Sequence, residues 1–358
     1  MTNLLIVDPM KLHRIFNILS LAQFLQVATR GIPNGDGLTT LLIDIADCTK
    51  NIATLTGQGA LAGITAKLTQ QNVQGETQMK LDVLSNTLFI EALERSGLVA
   101  GLVSEELEEV QQLKNTSAEH QFLVNFDPLD GSSNIAVNGT VGSIFSILNA
   151  PKNRALQAVD YLQQGIAQIA AGYALYGPST MLVLTVGNGT HGFTLDNETH
   201  EYMLSHPDIK IPEITSEFAI NCSNERFWEP PVQRYIAECK AGAAGVRGRE
   251  FNMRWLASMV GDMHRILLRG GVFMYPKDCK FPLKAGRLRL LYEANPMSFI
   301  VEQAGGKSST GRKSILDLQA GDIHQRAPVI LGSKLEVALI ELYHQEFDSS
   351  QFYIEPVV

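Results

Sequence analysis

Two carboxylates stand three residues apart in Asp127-Pro128-Leu129-Asp130-Gly131-Ser132-Ser133-Asn134, at the start of a small turn rich in hydrogen-bond donors. The mostly apolar run before this octapeptide, residues 122–126, has the pattern of a buried strand, and proline should end its ladder. Side chains at a strand end face a crevice, and a glycine lets the backbone approach a ligand. The pattern predicts a metal held by both aspartates and an anion facing the amides of Gly131, Ser132 and Ser133. An isolated Asp-Gly pair would instead favour a hairpin turn.

The composition is that of a folded chain. With 358 residues and 45% hydrophobic content, the chain is long enough for two domains or one large two-layered unit. Its four cysteines show no CxxC or Cys-His spacing, which favours buried thiols in a reducing compartment over a zinc site. Residues 15–25 have the pattern of an amphipathic helix, and no run approaches the roughly 18 apolar residues of a membrane span. We therefore expect a soluble, cytoplasmic protein with no membrane partner.

Charge is distributed unevenly along the chain. The formal net charge of −8 argues against general nucleic-acid binding. Residues 76–130 carry eleven acidic and three basic side chains, whereas residues 247–289 carry ten basic and three acidic ones. Each cluster is compatible with a solvated face. An acidic half for metals and a basic half for phosphates would also suit a doubly phosphorylated substrate.

Hydrophobic periodicity predicts the main elements. Helical spacing covers residues 38–52, residues 81–92 with a stop near Gly97, and residues 258–268 before Gly270 and Gly271. Strand patterns cover residues 141–148, 166–175, 181–186, 272–275 and 288–292. The polar, proline-punctuated segment 205–212 predicts a domain boundary near residue 209.

Further acids lie near the predicted strand ends. Glu105 and Glu106 follow an apolar run, so one can bind metal while the other, on the opposite side, orients water. Glu293 closes another such run, and Glu76 and Asp82 lie upstream. Carboxylates about 4 Å apart repel by about 4 kcal/mol at an effective dielectric of 20, so a pocket that gathers them must hold cations or protons. A shared proton, as in aspartic proteases, is the alternative. The number of acids and the glycine-serine turn favour two or three Mg²⁺ ions.

A covalent route would need a nucleophile with a paired base. Ser132 or Ser133 is the candidate nucleophile, but the sequence offers no evident base for either. His324 could be proposed as that base, although its position beside Arg326 favours a structural role. We therefore expect direct attack by metal-activated water.

The octapeptide resembles the signature of the class I fructose-1,6-bisphosphatases, within the wider group of magnesium-dependent, lithium-sensitive sugar and inositol phosphatases. Over roughly residues 20–346, further similar segments occur in the same order. They are residues 80–86, 103–106, 170–177, 288–293 and 322–328. The resemblance implies an α/β (α+β) fold, a layered αβαβα sandwich of the sugar phosphatase type with two domains and an active site at their junction. It places an N-terminal domain at residues 13–209, a C-terminal sugar-phosphate-binding domain at 210–346, and extensions at 1–12 and 347–358.

The resemblance also implies the metal site. It makes the carboxylates of Glu105, Asp127, Asp130 and Glu293 and the carbonyl of Leu129 metal ligands, and assigns a further, loop-dependent ion to Glu76. Glu106 and Asp82, beside Glu105, would handle the attacking water. The cofactor would be two or three Mg²⁺ ions per subunit, which Mn²⁺ can replace.

For the substrate, the resemblance places Arg289 on the reactive 1-phosphate. The residues for the 6-phosphate and sugar would be Asn224, Arg254, Tyr275 and Arg287, with Met259 beside the ring. Arg254 would reach into a neighbouring subunit's site in a homo-oligomer, a tetramer. Three positions depart from the family: Phe227 and Trp255 replace tyrosines, and Arg287 replaces lysine. Each lost hydroxyl removes a hydrogen bond worth about 0.5 to 1.5 kcal/mol, so the affinity for the 6-phosphate end of the substrate should fall modestly.

Two regulatory expectations follow from the resemblance. The glycine-punctuated residues 57–74 match the family's mobile loop, which would deliver Glu76 to the metals; a merely flexible surface loop is the alternative. The AMP-type effector site is degenerate. AMP-inhibited relatives carry Gly-Glu-Leu-Thr, Lys-Tyr and an arginine, where this chain has Asp36-Gly37-Leu38-Thr39, Gln121-Phe122 and Asn149.

The expected function is Mg²⁺-dependent hydrolysis of fructose 1,6-bisphosphate to fructose 6-phosphate and phosphate, a gluconeogenic or Calvin-type step. The altered sugar-side residues keep a sedoheptulose 1,7-bisphosphatase, or a broader sugar-bisphosphatase, as an alternative. A catalytically silent metal-binding regulatory paralogue is a third reading, against which the complete set of matched acids argues.

Overall fold

A computed structural model of the chain describes residues 18–63, 67–71, 77–113, 122–152 and 154–351. The helices of this part are α1 (Leu21–Ala28), α2 (Gly35–Gln58), α3 (Lys80–Ser96), α4 (Pro230–Lys240), α5 (Met259–Arg269), α6 (Asn295–Gln303) and α7 (Lys334–Gln351). The first strands are β1 (Lys67–Gln71), β2 (Thr77–Met79), β3 (Val99–Ser104), β4 (Gln111–Gln112), β5 (Phe122–Asp130), β6 (Val141–Asn149), β7 (Ala170–Tyr176), β8 (Thr180–Thr185), β9 (His191–Leu195) and β10 (Tyr202–His206). The later strands are β11 (Glu217–Ala219), β12 (Asn252–Met253), β13 (Val272–Tyr275), β14 (Leu288–Arg289), β15 (Lys307–Ser309), β16 (Arg326–Ala327) and β17 (Val329–Gly332).

An eight-stranded sheet forms the first half of the described molecule, in the order β10-β9-β8-β7-β6-β5-β3-β4. Its neighbours are antiparallel except β3 and β5, which run parallel. One face packs against α2 and α3, where Phe89 stacks on Phe126 with ring centroids 4.8 Å apart. The opposite face, including Tyr173, packs against Met263 of α5 and Met297 of α6.

A five-stranded sheet in the order β12-β11-β13-β17-β15 forms the second half. One of its faces shares the core of α5 and α6, through residues such as Phe273 and Leu331. Its other face packs against α4 and α7, through Tyr235 and Ile340. The layers therefore run helices, large sheet, helices, small sheet, helices. This confirms the expected αβαβα sandwich.

Local sequence signals explain where several helices begin and end. Ser20 caps α1 in a capping box with Gln23, and Ser258 accepts a hydrogen bond from Gly261 at the start of α5. Gly97 ends α3 in the left-handed conformation. The helices predicted over 38–52, 81–92 and 258–268 are all present, and the strand predicted over 272–275 is β13.

Two predicted elements begin later in the structure than expected. The strand expected over 166–175 begins only at Ala170, because Gly165–Ala167 forms a 3₁₀ turn. The helix expected over 15–25 begins at Leu21 because Ser20 is its cap, and residues 15–17 lie outside the described part. Within the described residues, no helix has both the length and the apolar character that crossing a membrane would demand. Cys48, Cys222, Cys239 and Cys279 are free thiols. Cys48 and Cys239 are buried as expected, but Cys222 is half-buried and Cys279 is exposed, so the expectation of buried thiols is wrong for these two.

Candidate active site

A β-bulge brings the two aspartates of the octapeptide to one face of β5. Asp127 stands opposite Ile144 and Asp130 opposite Gly142, so β5 has one residue more than β6 between these pairs. Side chains alternate along a regular strand, so residues three apart would point to opposite faces. The extra residue cancels that alternation.

The strand continues past Pro128 to Asp130, contrary to the expectation that Pro128 ends it. Proline lacks an N–H, but a bulge leaves one residue out of the ladder, and β5 places Pro128 there. The Ser143 hydroxyl on β6 donates to the Pro128 carbonyl at 2.8 Å, and the Leu129 N–H donates to Asp127 Oδ1 at 2.9 Å. Neighbouring groups therefore hold the bulge in place.

Glu293 comes from a π-helical turn, and the strand predicted over 288–292 is wrong beyond Arg289. The turn covers Leu290–Ala294 and is closed by the Asn295 N–H, which donates to the Leu290 carbonyl. A short buried apolar run does not distinguish strand from helix. Here the Glu293 carboxylate accepts the Arg289 N–H at 2.6 Å, which stabilises a helical start in the way a capping carboxylate does. Such turns are frequent at functional sites.

The structure brings Asp127, Asp130 and Glu293 together. One carboxylate oxygen from each lies within 4.8 Å of the others, and all three side chains are buried. Glu105 follows β3, its N–H donates to the Phe126 carbonyl at 3.2 Å, and its carboxyl contacts that of Asp127. Parallel pairing of β3 and β5 thus places a fourth acid beside the cluster.

Burial and mutual repulsion shift the pKa values of these acids. Burial, then the charges of Glu105, Asp130 and Glu293, raise the pKa of Asp127 well above its usual range. Burial is also the main cause that raises the pKa of Asp130 to about 7 and the pKa of Glu293 to about 7. These carboxyl groups will ionise fully near neutral pH only beside added positive charge.

Arg289 is the buried cation beside the acids. Its Nη1 lies 2.8 Å from Glu105 Oε1 and 3.8 Å from Glu293 Oε2. Four carboxylates and one guanidinium sum to −3 when all are ionised. The donors are all oxygens, the ligand type that hard divalent cations take. The site therefore fits a hard divalent cation in both charge and ligand chemistry.

Gly131 is required by two features of the turn after β5. It has φ +77°, which favours glycine, and a Cβ there would lie 2.8 Å from Ser258 Cβ. The chain then enters the 3₁₀ helix Ser132–Val137, in which Ser132 is half-buried and Ser133 exposed. The turn at Gly131 therefore lies directly against Ser258, the cap of α5.

The predicted water-handling acids lie around the end of β3 and the start of α3. Glu106 is half-buried, and its N–H donates to Ser104 Oγ at 3.2 Å. Asp82 is buried in the first turn of α3, where it accepts the Met79 N–H at 2.7 Å. Glu76 lies outside the described residues, as do residues 64–66 and 72–74 of the predicted mobile loop.

The predicted sugar side lies on the second half of the molecule. Tyr275 on β13 has its pKa raised to about 12, mainly by burial and next by the charge of Asp130. Arg287 pairs with Asp278 at 3.0 Å. Asn224 is buried, and its Oδ1 lies 3.5 Å from Lys280 Nζ.

Met259 and Arg254 complete the predicted substrate residues. Met259 is buried in the first turn of α5. Arg254 is exposed, one residue after β12. Trp255 packs edge-on against Tyr275 with ring centroids 5.2 Å apart, so an aromatic ring occupies the altered family position.

Comparison with known proteins identifies the family. The family model "Fructose-1-6-bisphosphatase, N-terminal domain" matches residues 21–207, and "Fructose-1-6-bisphosphatase, C-terminal domain" matches residues 211–345. The chain belongs to the fructose-1,6-bisphosphatase family. It is thus a phosphatase of the hydrolase class.

Relatives within the fructose-1,6-bisphosphatase family are similar over most of their length. A class 1 fructose-1,6-bisphosphatase of Methylibium petroleiphilum is 57% identical over 91% of this chain and 92% of its own. One of Rhodospirillum rubrum is 52% identical over 93% and 94%. The crystal structure of Leishmania major fructose-1,6-bisphosphatase in holo form is 39% identical, has a TM-score of 0.85, and is matched over 92% of this chain and 99% of that one.

Three groups at this fructose-1,6-bisphosphatase site were not predicted from the sequence. The Ser258 hydroxyl and the Val260 N–H donate to Asp130 Oδ2 at 2.9 and 3.0 Å. Ser258 could be recognised in the sequence as the start of the predicted helix 258–268. Its bond to Asp130 could not, because that partner is 128 residues away in sequence. Lys280, next to Asn224, was visible only as one of the ten cations of the basic segment.

Proposed function

We propose that the protein hydrolyses the 1-phosphate of fructose 1,6-bisphosphate, releasing fructose 6-phosphate and phosphate. One observation carries the proposal: three buried carboxylates with oxygens within 4.8 Å of one another lie beside the buried Arg289. An apolar core does not otherwise gather four acids, because each costs free energy to bury. The names of the relatives support the choice of substrate.

The proposed cofactor is two or three Mg²⁺ ions, with Mn²⁺ as a substitute. Glu105, Asp127, Asp130 and Glu293 would hold them, with the Leu129 carbonyl and with Glu76 for a further ion. When bound, the metal would lower the pKa of coordinated water and neutralise charge on the phosphate oxygens. The −3 charge of the acid cluster supports this demand for cations.

The proposed reaction needs a base and an anion clamp from the chain itself. Glu106 takes the proton of the attacking water, with Asp82 orienting that water from the first turn of α3. Arg289 holds the 1-phosphate, assisted by the amides of Gly131, Ser132 and Ser133. The pairing of Arg289 with Glu105 supports this role. From this position the guanidinium group could neutralise the phosphate and at the same time hold the carboxylate of Glu105, a proposed metal ligand, in place.

The proposed sugar side uses Asn224, Tyr275 and Arg287 for the 6-phosphate end and Met259 beside the ring. Arg254 would act across an interface in a homotetramer, which its exposed position supports. In this proposal residues 13–209 carry most metal ligands and residues 210–346 bind the sugar phosphate. The free thiols support a reducing, cytoplasmic location.

A sedoheptulose 1,7-bisphosphatase remains the second candidate. Phe227 and Trp255 replace hydroxyl-bearing side chains at the sugar end, so the site loses donors that would read a fructose phosphate. The departure affects substrate choice and leaves the reaction type unchanged.

Phosphate release from the two bisphosphates in the presence of Mg²⁺ tests both candidates. We expect turnover of fructose 1,6-bisphosphate with the higher kcat/KM, and loss of turnover when a chelator removes the metal. A higher kcat/KM for sedoheptulose 1,7-bisphosphate would support the second candidate. No release from either, by a folded protein with Mg²⁺, would favour the silent paralogue.

A further inference from the structure

One buried carboxylate connects three parts of the second half of the molecule. Glu336 lies in the first turn of α7 and is 2% exposed. It accepts hydrogen bonds from Arg247 Nη2 at 2.7 and 2.6 Å, from Arg249 Nη2, and from the Tyr235 hydroxyl at 2.9 Å. The contact therefore joins α7, α4 and the segment that follows α4.

Both arginines reach the same carboxylate because a left-handed residue separates them. Gly248 has φ +61°, and this turn lets residues on either side of it point to one place. Both guanidinium groups also lie over the Phe251 ring, at 4.9 and 5.0 Å from its centroid. Charge and ring contacts thus hold residues 247–251, which precede β12.

The held segment leads directly to Arg254. The Arg254 N–H donates to the Phe218 carbonyl of β11 at 2.8 Å. Two residues later the Leu256 N–H donates to the buried carboxylate of Asp262 at 2.9 Å, and Ala257 adopts a strained φ of +57°. The backbone is fixed on both sides of Arg254, while its side chain is exposed.

We infer that Glu336 is a positioning residue for Arg254. Through Arg247 and Arg249 it fixes the backbone from which Arg254 extends toward the substrate phosphate of a neighbouring subunit. The inference rests on the proposed role of Arg254. Two guanidinium groups and one carboxylate sum to +1, and a buried ionic cluster is a poor source of stability compared with apolar packing. A need for fixed geometry explains such a cluster better than stability does.

The test is a comparison of steady-state constants for fructose 1,6-bisphosphate. Glu336→Gln keeps the shape of the side chain but weakens its charged hydrogen bonds, so KM should rise about tenfold while kcat changes little. In an Arg254→Ala background the same change should add no further rise. Glu346→Gln, on the same helix α7, is the matched control: it weakens the 2.6 Å pair with Arg234 of α4 and should leave KM unchanged.

Each outcome decides the matter. An unchanged KM in folded Glu336→Gln, or a rise that adds fully to that of Arg254→Ala, would overturn the inference. If Glu336→Gln does not fold, Arg249→Gln replaces it under the same criteria, since that side chain is 30% exposed. If Arg254→Ala alone leaves KM unchanged, the proposed role of Arg254 fails and the inference fails with it. A rise in Arg254→Ala without one in Glu336→Gln defeats the positioning role only.

Discussion

A single extra residue in β5 determines which acids meet at this site. With Asp127 and Asp130 in a regular strand, one of the two carboxylates would face the helices on the other side of the sheet. The bulge at Pro128 avoids this and leaves both aspartates beside Glu293. Removing any one of these carboxylates therefore deletes a proposed metal ligand and also relieves the repulsion among the remaining carboxylates.

Asp127→Ala and Glu105→Ala should each abolish turnover and leave the fold intact. Each loses a proposed metal ligand, but the remaining acids repel less, so the fold should be kept. The Asp127→Ala apoprotein should be at least as stable as the wild type, whereas Glu105→Ala also removes the 2.8 Å partner of Arg289 and should gain less. Phosphate release and thermal unfolding without metal measure the two effects. Near-normal turnover in either variant would contradict the proposed metal site.

The variant Glu106→Gln tests whether Glu106 acts as a general base or as a metal ligand. Glutamine keeps the shape of the side chain but cannot accept a proton from water, so turnover should fall by about 100-fold or more while Mg²⁺ affinity changes little. Turnover at saturating Mg²⁺ and a Mg²⁺ titration of the folded variant give the two numbers. Parallel losses in both would make Glu106 a ligand.

Two short irregular elements position groups of the site: the turn at Gly131 and the π-helical turn before α6. The periodicity of regular strands and helices would not have predicted these positions. Both bring groups distant in sequence into contact: Gly131 with Ser258, and Glu293 with the aspartates of β5. Their conformations depend on these long-range contacts.

Gly131→Ala should destabilise the protein by about 1 to 2 kcal/mol or more, because alanine is strained at positive φ and its Cβ would meet Ser258. Since Ser258 donates to Asp130, turnover should fall as well. Denaturant unfolding and phosphate release are the measurements. Gly177→Ala is the control, because its nearest neighbours lie 3.9 Å from the added Cβ. Equal stability of the two variants would show that the turn tolerates a side chain.

The start of α2 predicts weak inhibition by AMP. Asp36 adds negative charge in its first turn, and Asn149 stands where the family resemblance places an arginine in AMP-inhibited members. Arg154, a possible substitute, is held by Asp160 at 2.8 Å. Loss of two charged hydrogen bonds worth about 1.5 to 3 kcal/mol each should weaken AMP by about two to four orders of magnitude.

An AMP titration of turnover measures this prediction. Micromolar inhibition that disappears in Thr39→Ala would contradict it. Thr39 is a useful probe because its hydroxyl lies 2.8 Å from that of Thr29, near the start of α2.

Some of these elements could be predicted from the sequence and others could not, depending on whether local patterns or long-range contacts determine them. The helix 81–92 and the strand 272–275 were predictable, because periodicity and glycine stops act locally. The run 288–292 was not, because a short, mostly apolar pattern such as Leu-Arg-Leu-Leu-Tyr suits either a strand or a turn of helix. Asp127 and Asp130 were predictable as a pair, but the bulge that aligns them depends on the register with β6. Ser258 could be identified as a cap, whereas its bond to Asp130 exists only after the halves pack.

At the scale of the whole molecule, the carboxylate cluster links stability to pH and metal. The raised pKa values of Asp130 and Glu293, both about 7, mean that the folded state holds more protons than the unfolded chain between pH about 4 and about 7. Their contribution to stability is therefore full at low pH and is lost as pH rises through about 7.

Mg²⁺ should reverse this loss, since the ionised acids are its proposed ligands. We expect the rise in Tm on adding Mg²⁺ to be larger at pH about 8 than at pH about 6, where protons compete for the carboxylates. Scans with Mg²⁺, and with NaCl at equal ionic strength as control, measure it. An equal rise at both pH values would contradict the shifted pKa values.

The cluster also sets an order of events during synthesis. Asp127 and Asp130 come from the large sheet, but Glu293 is encoded 163 residues after Asp130. At about 5 to 20 residues per second, a ribosome needs roughly 8 to 33 s to add that length. Throughout this interval the nascent chain carries two close aspartates without their third partner. A complete metal centre therefore forms only late in translation, and full metal loading reports that both halves of the chain have been made and packed together.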